Sequence, residues 1–272
     1  MDTISNKLTL FQNNFMVNWH EHVWMKQVGN RRELNKEGLT SLIRAAEDNY
    51  MDYLVCSLPI TSGPAKPERC REANDFINEA VMAYPKKMRA MCYVDPGFGQ
   101  EAVLEIERCV KKLGMIGVKL YNQYTMDDPV QRLVIEKCIE LDVPILIHAG
   151  YSRVCFVDQP NMSHSEQIAR AAKAYPECQI IMAHVTGGGD WMWQLRGIAD
   201  CPNVVTDISG SIIDIGSVEE TVRYLGAERV LFGTDGSVTL GVGKLLGTQI
   251  SEKDKITILA GEKYRRFLKE DR

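Results

Sequence analysis

What the chain lacks narrows its reading first. None of the eight cysteines (Cys56, Cys70, Cys92, Cys109, Cys138, Cys155, Cys178 and Cys201) forms a C-x-x-C pair. They are spread evenly through mostly apolar runs, which argues for reduced core residues of a cytoplasmic protein and against a disulfide framework. No apolar run approaches the roughly 20 residues that span a bilayer. Residues 1–14 are polar, with no signal-peptide core, so neither membrane insertion nor secretion is expected. No block of like charge stands out. The 32 Lys and Arg against 36 Asp and Glu leave a net charge of -4, which gives no footing to nucleic acid or a membrane surface as partner. A small-molecule substrate is the expected partner, and a homo-oligomer is left open. Histidine is scarce, with only five in 272 residues, so where each one falls carries weight.

What is present is a repeating alternation. Apolar runs at 15–19, 53–56, 88–94, 115–120, 143–147, 179–182, 204–206 and 229–232 read as strands. Helical patterns follow them at 36–49, 68–84, 100–113, 129–141, 163–175, 190–200, 218–225 and 251–268. Residues 21–36 read as a long loop, and the Gly-rich stretch 236–247 as a second loop that could move as a lid. The strands are near-continuously apolar, as strands buried on both faces should be. Strict alternation predicts a parallel sheet, and eight units at this length predict the α/β class: a single (β/α)8 TIM barrel, one domain over residues 1–272. An open doubly wound sheet would usually carry a Gly-rich turn after its first strand. Here that position holds Asn18-Trp19-His20-Glu21-His22.

Four of the five histidines fall at the C-terminal ends of predicted strands: His20 and His22 after the first, His148 after the fifth, His184 after the sixth. Asp235 ends the eighth strand, which closes beside the first. In a barrel these ends open on one face, where active sites sit. His20 and His22, one residue apart, point the same way on a strand. The five side chains therefore converge on one mouth, and imidazoles with a carboxylate are a metal-binding set. The fifth histidine, His164, precedes a helix and reads as a cap or a surface residue.

The residues that carry a family likeness are the His20-x-His22 pair, Pro144-Ile145-Leu146-Ile147-His148-Ala149-Gly150, and Ile181-Met182-Ala183-His184-Val185-Thr186-Gly187-Gly188. To these add Val230-Leu231-Phe232-Gly233-Thr234-Asp235 and Ile258-Leu259-Ala260-Gly261. Together they resemble the amidohydrolase superfamily, in its amidohydrolase-related branch of metal-dependent barrel hydrolases, over essentially the whole chain. Two departures stand out: Asn18 where an Asp is common, and Glu262-Lys263 where an Asn is often seen. The resemblance implies that His20, His22, His148 and Asp235 hold one divalent metal, Zn(II) first. It implies a metal-activated water attacking a small amide or lactone that bears a carboxylate. Asp235 then moves the proton, and His184 orients the water or polarises the substrate. The resemblance implies that a second metal would need a bridging Glu or carboxylated Lys from strand four, and Lys119 is the candidate. Lys119 reads first as a clamp for a substrate carboxylate, second as a rim lysine, and last as that bridge. Weaker candidates for substrate binding are Tyr121, which continues strand four, Trp24, which could wall the pocket or merely pack on the rim, and Arg153, which could bind an acidic group or be an ordinary surface arginine. Trp191 and Trp193 read as barrel packing.

The same ligands serve a second chemistry, decarboxylation of an unsaturated or aromatic acid, and motifs alone do not separate the two. A non-catalytic binding protein on the same barrel is the reading from another class. The intact set of four histidines and Asp235 argues against it.

Overall fold

The computed structural model describes residues 9–61, 64–150, 159–185, 190–210 and 214–269. The first strand, β1 (Val17–His22), is followed by an antiparallel hairpin, β2 (Met25–Val28) with β3 (Arg31–Leu34). Then come β4 (Tyr53–Ser57), β5 (Met88–Tyr93), β6 (Gly117–Leu120), β7 (Ile145–Ile147), β8 (Ile180–Met182), β9 (Val204–Asp207) and β10 (Val230–Leu231). Apart from the hairpin, the strands form one parallel sheet in the order β1-β4-β5-β6-β7-β8-β9-β10. β10 returns to β1 through backbone bonds from Trp19 N–H to Phe232 O and from Asp235 N–H to His20 O, both 2.8 Å. This is the expected (β/α)8 barrel.

Helices α1 (Lys36–Asp48), α2 (Pro67–Ala83), α3 (Gln100–Lys112), α4 (Arg132–Glu140), α5 (Ser165–Ala174), α6 (Trp191–Ile198) and α7 (Ser217–Leu225) follow the first seven barrel strands in turn. After β10 come α8 (Val238–Gly247), α9 (Glu252–Ala260) and α10 (Glu262–Arg265). Local chemistry sets their starts. Asn35 accepts from the Gly38 N–H at 3.1 Å, Ser251 accepts from the Asp254 N–H at 3.1 Å, and Pro67 opens α2.

Outward strand residues such as Leu54, Cys56, Val118, Leu120, Ile145 and Ile147 pack on the helices. The inward floor takes Val17, Trp19, Val55, Met91, Leu146, Ile181, Val205 and Leu231, plugged from below by Tyr264, Phe267 and Leu268. Gly261 stands at φ +56°, and a Cβ there would lie 2.4 Å from Trp19 Nε1, so only glycine lets this end of the chain close on the floor. The seven cysteines among the described residues are buried free thiols.

Three expectations are corrected. The loop expected at 21–36 contains the β2–β3 hairpin, whose strands are mostly exposed and polar and so lack the apolar alternation that marks a strand. Its two-residue turn is Gly29-Asn30, with Gly29 at φ +57°. The Gly-rich stretch 236–247 is largely the helix α8. Gly241 is there for packing, since a Cβ would meet Thr234 Cγ2 at 2.5 Å, and the lid reading loses its basis. The polar lead-in is helical over residues 9–12 and buries Leu10 and Phe11.

Candidate metal centre

His20 and His22 share a face by strand alternation, and a bulge in β1 turns that face inward. Asn18 stands opposite Leu54 and Glu21 opposite Cys56, three steps against two. Val17 and Trp19 therefore fill the floor, and beyond the extra residue His20 and His22 also turn inward. The floor residues of other strands predict the mouth in the same way. Two positions past Val55, Leu146 and Val205 come Ser57, His148 and Asp207. On β6, Val118 and Leu120 pack outward, which leaves Lys119 pointing in, fully buried. Gly233 keeps the centre clear, since a Cβ there would lie 3.0 Å from His20 Cβ.

Among the described residues, donor atoms of His20, His22 and Asp235 all lie within 4.8 Å of one another. Asp235 Oδ1 is 3.0 Å from His22 Nε2 and 3.6 Å from His20 Nε2. A second group, His20, His184 and Asp207, is equally compact. Its chemistry differs, because Asp207 Oδ2 accepts a hydrogen bond from the His20 Nδ1–H at 2.8 Å and that carboxylate is already engaged. Its Oδ1 accepts from the His184 N–H at 3.1 Å, from the Ser209 N–H at 2.9 Å and from the Ser209 hydroxyl. A carboxylate behind a ligand imidazole fixes the ring and turns Nε2 toward the metal position. Ser57 Oγ does the same for His22, at 3.0 Å from Nδ1, and Ser209 Oγ lies 2.8 Å from His184 Nδ1.

The electrostatics suit a cation. Burial, helped by the Lys119 ammonium, lowers His20 to about 3, so its imidazole is neutral near pH 7. Burial also lowers His148 and His184. Asp235 is pushed up by burial, but the His22 hydrogen bond and the surrounding imidazoles outweigh it and hold the carboxyl well below the usual range. Asp235 (φ +48°) and His184 (φ +64°) both hold left-handed backbone, costing of order 1–3 kcal/mol each, a strain that gathers at functional sites.

The expected residues fall into place unevenly. Three of the four expected ligands meet. His148 is not in that donor group: its Nδ1 shares a hydrogen bond with His184 Nε2 at 3.1 Å, and its ring centre is 4.3 Å from that of Tyr121. Lys119 Nζ sits 2.9 Å from His20 Nε2, and burial lowers it to about 8, so the rim reading is wrong. Trp24 is half exposed, with its ring centre 5.7 Å from that of His22. Arg153 lies outside the described residues. His164 does cap α5, closing a capping box with Gln167. Trp193 is exposed, correcting its packing reading: it projects from α6 with Arg196 over its ring. Trp191 packs against the core and also donates to Asp214 Oδ2 at 3.1 Å.

Asp207 and Ser209 were missed. The signal was present: Val204-Val205-Thr206-Asp207 ends an apolar strand in an acid, as the eighth strand does at Asp235.

Known proteins share this fold. The family model described as Amidohydrolase matches residues 19–241. A gamma-resorcylate decarboxylase of Polaromonas sp. strain JS666 is 24% identical over 269 residues, 78% of this chain and 82% of that one. A 2-keto-4-carboxy-3-hexenedioate hydratase of Sphingobium sp. strain SYK-6 is 26% identical over 153 residues, 47% of this chain and 43% of that one. Among solved structures, the dihydroxybenzoic acid decarboxylase of Polaromonas sp. JS666, with bound manganese and 2-nitroresorcinol, superposes with a TM-score of 0.70. It is 20% identical, over 95% of this chain and 98% of that one. With the family model running over residues 19–241, from the first barrel strand past the end of the eighth, this chain is a member of the amidohydrolase family.

Proposed function

We propose that the chain is a metal-dependent decarboxylase of an aromatic or unsaturated carboxylic acid, ahead of the amide or lactone hydrolysis that its motifs first suggest. The observation that carries this reading is a fully buried lysine beside a metal donor set: Lys119 Nζ, 2.9 Å from His20 Nε2 and shut off from solvent. A buried ammonium at that place favours a substrate that brings its own carboxylate to the reacting centre. The relative named as a gamma-resorcylate decarboxylase, matched over 78% of this chain, supports the same direction.

Decarboxylation breaks the bond from carbon to carboxylate. The electron pair stays on carbon, CO2 leaves, and a proton must reach that carbon. A divalent ion held by His20, His22 and Asp235, with His148 at hand, would supply Lewis-acid polarisation of the substrate oxygens. The chain's own groups do the rest. Lys119 balances the carboxylate charge. Asp235 and His184 face the mouth and can hold and pass the proton. Tyr121 and Trp24 offer flat faces to a ring. Both Zn(II) and Mn(II) accept imidazole and carboxylate donors, and the manganese-bound relative puts Mn(II) first for trial. A second ion would need Lys119 to be carboxylated before it could serve as a bridge.

The test is to load the protein with Mn(II) or Zn(II) and incubate it in D2O with 2,6-dihydroxybenzoate and a panel of other ortho-hydroxy aromatic acids. The proposal expects CO2 in step with loss of the acid, and one deuterium at the carbon that lost it. Inertness toward every acid, with hydrolysis of small lactones or amides, would return the chain to the hydrolases. Lys119→Met should raise KM for the acid by about tenfold, the worth of one charge-assisted bond.

A further inference from the structure

Between the two ligand histidines stands Glu21, and behind the first stands Asn18. Both are fully buried, and neither faces the metal centre. Each reaches across to the loop after the eighth strand. Glu21 Oε1 accepts from the His22 N–H at 2.9 Å and from the Gly236 N–H at 2.6 Å. Its Oε2 accepts from the Thr234 hydroxyl at 2.5 Å and from Asn18 Nδ2 at 3.4 Å. Asn18 Nδ2 also donates to Thr234 Oγ1 at 2.7 Å, while Asn18 Oδ1 accepts from the His20 and Thr234 N–H groups, both at 3.2 Å. The two backbone donors fix which way the Asn18 amide points. Thr234 and Gly236 flank Asp235, and the turn they form runs through two consecutive left-handed residues, Asp235 at φ +48° and Gly236 at φ +88°. Such a turn does not hold itself and must be over-determined by its surroundings.

We propose that Asn18, Glu21 and Thr234 form a clamp that positions Asp235 against His20 and His22, so that the metal ligands of strands one and eight are set as one unit. The three are positioning residues, and their effect on a metal rests on the metal-centre reading above. The clamp has a definite charge pattern. Glu21 supplies the one carboxylate, and position 18 must supply an amide, because an acid there would set two buried carboxylates within 3.4 Å of each other. The negative charge can in principle sit at either position, but not at both.

That pattern sets the experiment: Mn(II) and Zn(II) affinities by chelator competition, with apo-protein melting beside them, for wild type, Asn18→Asp, Glu21→Gln and the double variant. Asn18→Asp should weaken metal binding about 10–100-fold, the usual loss when support behind ligands is removed. The double variant, in which carboxylate and amide have changed places, should recover to within about threefold of wild type. A clamp serving only the fold would lower apo melting and leave affinity unmoved. Wild-type affinity in Asn18→Asp, or a double variant no better than Asn18→Asp, overturns the proposal. If Asn18→Asp does not fold, Thr234→Val carries the test: at constant shape it removes the hydroxyl that donates to Glu21 and accepts from Asn18, and it should weaken binding about tenfold, and unchanged affinity overturns the clamp equally. A wild type that binds no metal would sink the metal reading itself, a separate failure.

Discussion

The two ends of the barrel are built from the same strands to opposite rules. At the floor, inward positions hold Val17, Trp19, Val55, Met91, Leu146, Ile181, Val205 and Leu231, and the chain's end plugs them with Tyr264, Phe267 and Leu268. Two residues further along several of these strands, the inward positions turn to Ser57, His148 and Asp207, joined by Lys119 and Asp235. Backbone strain follows the same division: of the described residues lining either end, the two non-glycines at positive φ, His184 and Asp235, are both in the mouth. The floor is therefore where the fold gains its stability, and the mouth is where stability is given up for chemistry.

Substitutions can break this division if it is wrong. The largest effect should come from Asp235→Asn: turnover of an accepted acid should fall by about two to four orders of magnitude, the scale for a lost proton-transfer group. Chemical denaturation should show no matching loss of stability. Full turnover would end its proton-moving role. Next, Tyr264→Ala should lose about 3–5 kcal/mol of unfolding free energy, the range for emptying an aromatic site in a core. Metal affinity of the remaining folded protein should stay within a few-fold. A collapse of metal binding with normal stability would show that floor and mouth are not separable. A smaller effect is expected from Asp207→Asn, which keeps the shape behind His20 but loses its charge. Metal affinity should fall about 10–100-fold at near-native melting, read by chelator competition.

The division also explains what could be read from the chain. The floor and outward layer were legible because apolar period and strand alternation report directly on burial, so the barrel followed from eight runs and their spacing. His20, His22, His148, His184 and Asp235 were legible because they end those runs. Asp207 was passed over because its strand seemed to stop at Thr206, one residue short, where strand ends are softest. Glu21 was not singled out, because alternation turns it away from the mouth. Its partners, Thr234 and Gly236, lie more than 200 positions away and meet it only once the barrel closes. The same closure gives Asn18 a reason where an acid is common: it answers the carboxylate of Glu21. That His148 pairs with His184 rather than joining the donor group was not legible, since period fixes a side chain's face but not its rotamer.

The most direct test of the account is metal content by elemental analysis, on the native protein and on a His20→Ala/His22→Ala double variant. The account predicts about one divalent ion per chain in the native protein and none in the variant, the open site of a catalytic metal. No ion in the native protein, even after incubation with Mn(II) or Zn(II), or an equal content in both proteins, would contradict it.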